Sequence, residues 1–130
     1  MTMYFKATMT WVVAEDDTLA QAVSGPLSSS KIESTDITEH VGRRITLADG
    51  VTDQAINFVG ADGLTTAKAL MIKTDQPITA KLNGSSTAIP IGHAADEPAT
   101  LMIDATTITS LSLSNASGNT ANIIISLPGA

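Results

Sequence analysis

Apolar and polar positions alternate with a period of two along most of the chain. Phe5, Ala7, Met9, Trp11 and Val13 are apolar, with Lys6, Thr8 and Thr10 between them. This puts one apolar face on an N-terminal strand of about nine or ten residues. The same pattern returns at Ile45 and Leu47, Ile56 and Phe58, Leu70 and Ile72, and Ile78, Ala80 and Leu82. It continues at Ile89 and Ile91, Leu101 and Ile103, Leu111 and Leu113, and Ile123, Ile125 and Leu127. Turn-forming residues fill the gaps: Ala48-Asp49-Gly50, Gly60-Ala61-Asp62-Gly63, Asn83-Gly84 and Asn115-Ala116-Ser117-Gly118-Asn119. Asn-Gly and Asp-Gly supply the positive φ that tight turns require, so Asn83-Gly84 predicts a hairpin joining strands Ile78–Leu82 and Thr87–Ile91. Short strands at regular spacing predict an all-β, antiparallel sandwich or barrel rather than βαβ units.

One stretch departs from the alternation. Glu15-Asp16-Asp17-Thr18 precedes Leu19, Ala20, Ala22 and Val23, and Gly25-Pro26 follows. Acidic and capping residues ahead of a short apolar run, then a breaker, predict a long loop or a short helix near residues 15–30. The length of 130 residues fits one domain. Residues 1–30 would be an N-terminal strand, or arm, with its long connection, and 31–130 the sandwich.

Charge narrows the partners. Seven Lys and Arg against 13 Asp and Glu give a net charge of −6, which argues against nonspecific binding to nucleic acid or to an anionic membrane. Charged residues make up 15%, below the roughly 25% of an average domain, and Ser and Thr take their place. Zero Cys excludes disulfides, thiol nucleophiles and Cys-ligated metals, and two His cannot make a three-His zinc site. No apolar run is long enough to span a bilayer. The opening Met1-Thr-Met-Tyr-Phe-Lys6 lacks the basic-then-apolar form of a secretory signal. Synthesis in the cytoplasm is therefore expected.

No catalytic constellation stands out. No Ser lies in a Gly-x-Ser-x-Gly turn, and neither His40 nor His93 has an activating neighbour in sequence. Asp16–Asp17 and Asp96–Glu97 are adjacent pairs, whose side chains point to opposite sides of an extended chain, unlike the facing carboxylates of glycosidases. Asp49 and Asp53 flank Gly50 but fall short of the oxygen ligands a calcium loop offers, and read as turn residues. No cofactor or metal is expected. The candidate interface residues are Tyr4, Phe5, Trp11, Arg43 and Arg44. Phe5 and Trp11 share one face of the first strand, as core or as a hydrophobic arm, and Tyr4 lies on the opposite face. Arg43-Arg44 is the only basic cluster, suited to pairing with acids in a salt bridge or across an interface.

The second half resembles small structural proteins of tailed bacteriophages. The residues that carry the resemblance are the run Ala69-Leu-Met-Ile-Lys-Thr-Asp-Gln-Pro-Ile-Thr-Ala-Lys-Leu-Asn-Gly84, with its strand, Asp-x-Pro, strand, Asn-Gly order. The later strands Ile108–Asn115 and Ala121–Gly129 complete it. The resemblance covers about residues 45–130 and implies a jelly-roll-like β-sandwich on the virion. The role it implies is a capsid decoration, or cement, protein on the capsid exterior, without catalysis, binding the major capsid protein and itself as a homodimer or homotrimer. The alternative is a tail or fibre component, or a sandwich module that binds a host glycan or receptor. An N-terminal arm would attach by adding a strand to a partner's sheet edge.

Overall fold

The computed structural model describes residues 5–14, 22–33, 37, 39–58, 64–103 and 107–130. For 5–14 and 22–33 it describes the backbone course and, of the side chains, only Lys6 and Thr8. The chain divides into two compact units, Met1–Thr35 and Asp36–Ala130.

The first unit is a two-stranded antiparallel sheet of β1 (Phe5–Ala14) and β2 (Ala22–Glu33). The first strand lies where the alternation predicts it. The long loop or short helix expected near 15–30 is corrected, since Ala22–Ser30 is strand and residues 15–21 lie outside the described residues. The register gives the reason. Phe5 pairs with Glu33 and Trp11 with Leu27, but Val13 then pairs with Ser24, so Gly25 and Pro26 fall at a bulge. A bulge is one of the few places within a sheet that tolerate a residue without an N–H, and there Gly-Pro interrupts a strand without ending it. The Ser28-Ser29-Ser30 run pairs with Thr10, Met9 and Thr8. The strand β2 runs to Glu33, within the first compact unit, which ends at Thr35.

Among the described residues the second unit holds eight strands: β3 (Glu39–Leu47), β4 (Gln54–Ala55), β5 (Leu70–Thr74), β6 (Ile78–Leu82), β7 (Ile89–Ile91), β8 (Ala99–Ile103), β9 (Leu111–Ser114) and β10 (Ala121–Gly129). They form two four-stranded sheets, ordered β3-β10-β5-β8 and β4-β9-β6-β7, with every pairing antiparallel. Within the unit, the first strand pairs with the last, the second with the seventh, the third with the sixth and the fourth with the fifth. That is one long antiparallel ribbon folded over on itself, the jelly-roll form of the β-sandwich.

Burial follows the alternation. Ile123, Ile125 and Leu127 of β10 are buried, as are Leu70 and Ile72 of β5, Ile78 and Ala80 of β6, and Leu111 and Leu113 of β9. Residues of both sheets join one core cluster with Phe58, Leu64 and Ile108. The strand expected at Ile56 and Phe58 is not formed there; β4 covers only Gln54–Ala55 just before them, while both apolar side chains are buried. The Asn83-Gly84 hairpin forms. Asn83 and Gly84 have φ of 53° and 70°, and the Ser85 N–H donates to the Leu82 carbonyl, which makes a type I′ turn. The ladder resumes at Ile89 instead of Thr87, because residues 85–88 extend the loop.

A buried Asn joins the sheets at one end. The Asn115 amide donates to the Leu47 and Asn119 carbonyls, both at 2.8 Å, and its Oδ1 accepts the Ser117 N–H at 3.0 Å. At the end of β10, residues 65–68 approach so closely that a Cβ on Gly129 would lie 2.1 Å from the Thr66 carbonyl oxygen.

Candidate functional site

The outward positions of the two sheets carry the side chains available for recognition. On the β3-β10-β5-β8 sheet, Ile124 of β10 stands opposite Arg44 of β3 on one side and Lys73 of β5 on the other, with Thr100 of β8 opposite Lys73. Directly opposite residues share a face, so Arg44, Ile124, Lys73 and Thr100 form one cross-strand row. The next row is Gly42, Ser126, Met71 and Met102. Arg44 and Lys73 are exposed and Ile124 is half-buried. They line an open groove of about 440 Å³ with Thr46, Asn122 and Pro98.

The electrostatics of this face set it apart. Lys81, on the other sheet, pairs with Asp53 at 3.0 Å, and Arg43 and Lys68 each have an interaction partner. Arg44 and Lys73 have neither an acid nor a hydrogen-bond acceptor among the described residues. Asp75 also lines the groove, but it is engaged: the Asn122 amide donates to Oδ2 at 2.9 Å and the Asn122 N–H to Oδ1 at 2.7 Å. These bonds, the side-chain one foremost, hold the Asp75 carboxyl below its ordinary value.

Of the interface residues expected from sequence, Arg44 reaches this groove. Arg43 does not line it. Successive strand residues face opposite sides, so Arg43 is half-buried on the inward side, opposite Ile125. The expected Arg43-Arg44 cluster is therefore two separate residues. Tyr4 lies outside the described residues. Phe5 and Trp11 are placed on β1 by their backbone pairing alone, and their side chains also lie outside the description.

The sequence did not signal His40 and Ser126 as partners. They are 86 residues apart, yet His40 Nε2 lies 2.8 Å from Ser126 Oγ. His40 leans over Gly42 to reach it, and a Cβ on Gly42 would sit 3.2 Å from His40 Cε1. A Ser–His pair is the start of a nucleophilic site, but catalysis also needs a third group to orient the imidazole and donors for an oxyanion. Among the described residues no acid bonds His40, and the pair lies outside the groove lining.

The remaining candidates resolve into turns. Asp49 accepts the Gly118 N–H at 2.9 Å while Asp53 holds Lys81, so the two carboxylates serve different partners. His93 is exposed, 3.5 Å from Glu97. Asp96, with φ of 60°, is held by both ends of the buried Gln76 amide. No group of three or more metal-ligating side chains occurs among the described residues. Comparison with family models, with characterised proteins and with solved structures yields no match.

Proposed function

We propose that this chain is a non-enzymatic structural protein of a bacteriophage particle. It decorates and stabilises the capsid by binding across neighbouring major capsid subunits, and it associates with itself as a homodimer or homotrimer. The observation that carries this reading is the first unit, a two-stranded ribbon of 10- and 12-residue strands. A two-stranded sheet alone is marginal in water, and strand edges are ready templates for pairing with another chain. A lattice of identical subunits supplies that pairing many times over, so modest contacts sum to firm attachment. The jelly-roll order of the second unit agrees with this role, since virion proteins use that fold widely. Its buried polar side-chain atoms all have hydrogen-bond partners among the described residues, as in a shell component built for rigidity.

The test is co-sedimentation of the full chain with capsids stripped of accessory proteins, read as copies bound per major capsid subunit. Saturation at a fixed lattice ratio is expected. Absence of binding to heads overturns the capsid role and directs the search to tails, then to a glycan array.

A further inference from the structure

We infer that the groove over Ile124 is a docking site for an acidic peptide segment of a partner protein, one with an aliphatic side chain between two carboxylates. The inference rests on the capsid reading only for the partner's identity, which would be the major capsid subunit. Its basis is the coincidence of three features in one row. The chain carries seven cationic residues in an acidic background, and Arg44 and Lys73 lack a partner among the described residues. These two stand on either side of the same residue, Ile124. Ile124 is a half-buried aliphatic at an outward position, where exposed strands usually carry polar residues.

Two strand spacings separate Arg44 from Lys73, about 10 Å between backbones. Long cationic side chains reach inward or outward from there to meet carboxylates on either side of a central aliphatic group. In an extended segment, alternate residues face the same way, so the matching pattern is acid-x-aliphatic-x-acid. The charges set orientation and register, and burial of Ile124 against the aliphatic residue excludes water between them. A neutral sugar fits less well. Carbohydrate sites usually stack on exposed aromatics, and the one aromatic side chain described, Phe58, is buried. Asp75 also lines the groove, beside Asn122, but both its oxygens are already bonded to Asn122.

The experiment is an NMR titration of the full-length, isotope-labelled protein with acetyl-Glu-Ser-Leu-Ser-Glu-amide. Saturable shifts centred on Thr46, Lys73, Asn122 and Ile124 are expected, weakening as salt rises. The Arg44→Glu/Lys73→Glu double variant should bind at least tenfold more weakly with an unchanged Tm, because both side chains are exposed. Absence of saturable shifts, equal binding of the peptide with Lys in place of Glu, or tighter binding of polygalacturonate at the same signals overturns the assignment. In capsid co-sedimentation, loss of binding by the folded double variant supports the groove as the contact. Lattice-ratio binding by that variant overturns it while leaving the capsid role standing. Peptide binding at the groove by a protein that ignores capsids sinks the capsid role and supports the docking site.

Discussion

The two outer faces of the sandwich share a backbone plan and differ in how their polar groups are used. On the β4-β9-β6-β7 face, Lys81 is neutralised by Asp53, and Asp53 also receives the Ser114 hydroxyl at 3.4 Å while its N–H donates to Ser114 Oγ at 2.8 Å. The neighbouring outward residues Thr79 and Ser112 are small and hydroxylated. That face closes on itself. On the β3-β10-β5-β8 face, Arg44 and Lys73 have no such counterpart among the described residues, and Ile124, Met71 and Met102 are left half-buried. One architecture thus carries a self-satisfied surface and a surface whose charges and apolar groups are better used by a partner. Outward residue choice, and not strand order, distinguishes them.

The largest effects should come from positions that the faces share. Ile125→Ala on one sheet and Leu113→Ala on the other remove buried side chains of a single core, and each should cost about 2–5 kcal/mol. Asn115→Ala should cost a comparable amount, about 2–4 kcal/mol, by stripping the Leu47 carbonyl and the 117–119 turn of their partners. Urea denaturation checks all three. If outward Ile124→Ser costs as much as Ile125→Ala, Ile124 belongs to the core and the contrast between faces fails.

A smaller effect separates the two lysines. Lys81→Ala removes a surface ion pair and should lower stability by about 0.5 kcal/mol, whereas Lys73→Ala should be near neutral. In binding to an acidic peptide the order should reverse, with Lys73→Ala weakening the complex and Lys81→Ala leaving it unchanged. Paired thermal melts and titrations of the two variants read both quantities, and the same order in both would erase the distinction.

The inward faces were legible from sequence because burial imposes period two, which Ile123, Ile125 and Leu127 follow until Pro128 and Gly129, both buried, end the alternation. The β2 strand was hidden for the opposite reason. Its Ser run and Gly25-Pro26 carry no apolar alternation, and it is a strand through its pairing with β1. The groove was hidden too. Arg44, Lys73 and Ile124 come from three distant segments, and only β10 running between β3 and β5 brings them into one row. Arg43-Arg44 looked like a cluster in the linear sequence because adjacency there ignores the pleat. His40 and Ser126 needed both that pairing and the bare Gly42 between them.

The smallest effect concerns Asp75, the acid in the groove lining. Its two hydrogen bonds from Asn122 hold its folded-state pKa below the unfolded value of 3.8. A depressed carboxylate adds stability that is fully present above the unfolded pKa and fades as pH falls through the lower folded value. The stability gap between the wild-type chain and Asp75→Asn should therefore stay constant from about pH 7 to pH 5 and narrow below about pH 4. Urea midpoints across that range measure it, and a gap that widens on acidification would mean the bonds favour the protonated form. The same substitution removes one negative charge beside Arg44 and Lys73 without touching either. Acidic-peptide affinity should rise, by less than about threefold at moderate salt, because an exposed charge at this distance is largely screened. An unchanged affinity would place the docked segment toward the Ser126 row, and a fall would mean that Asp75 itself holds the partner.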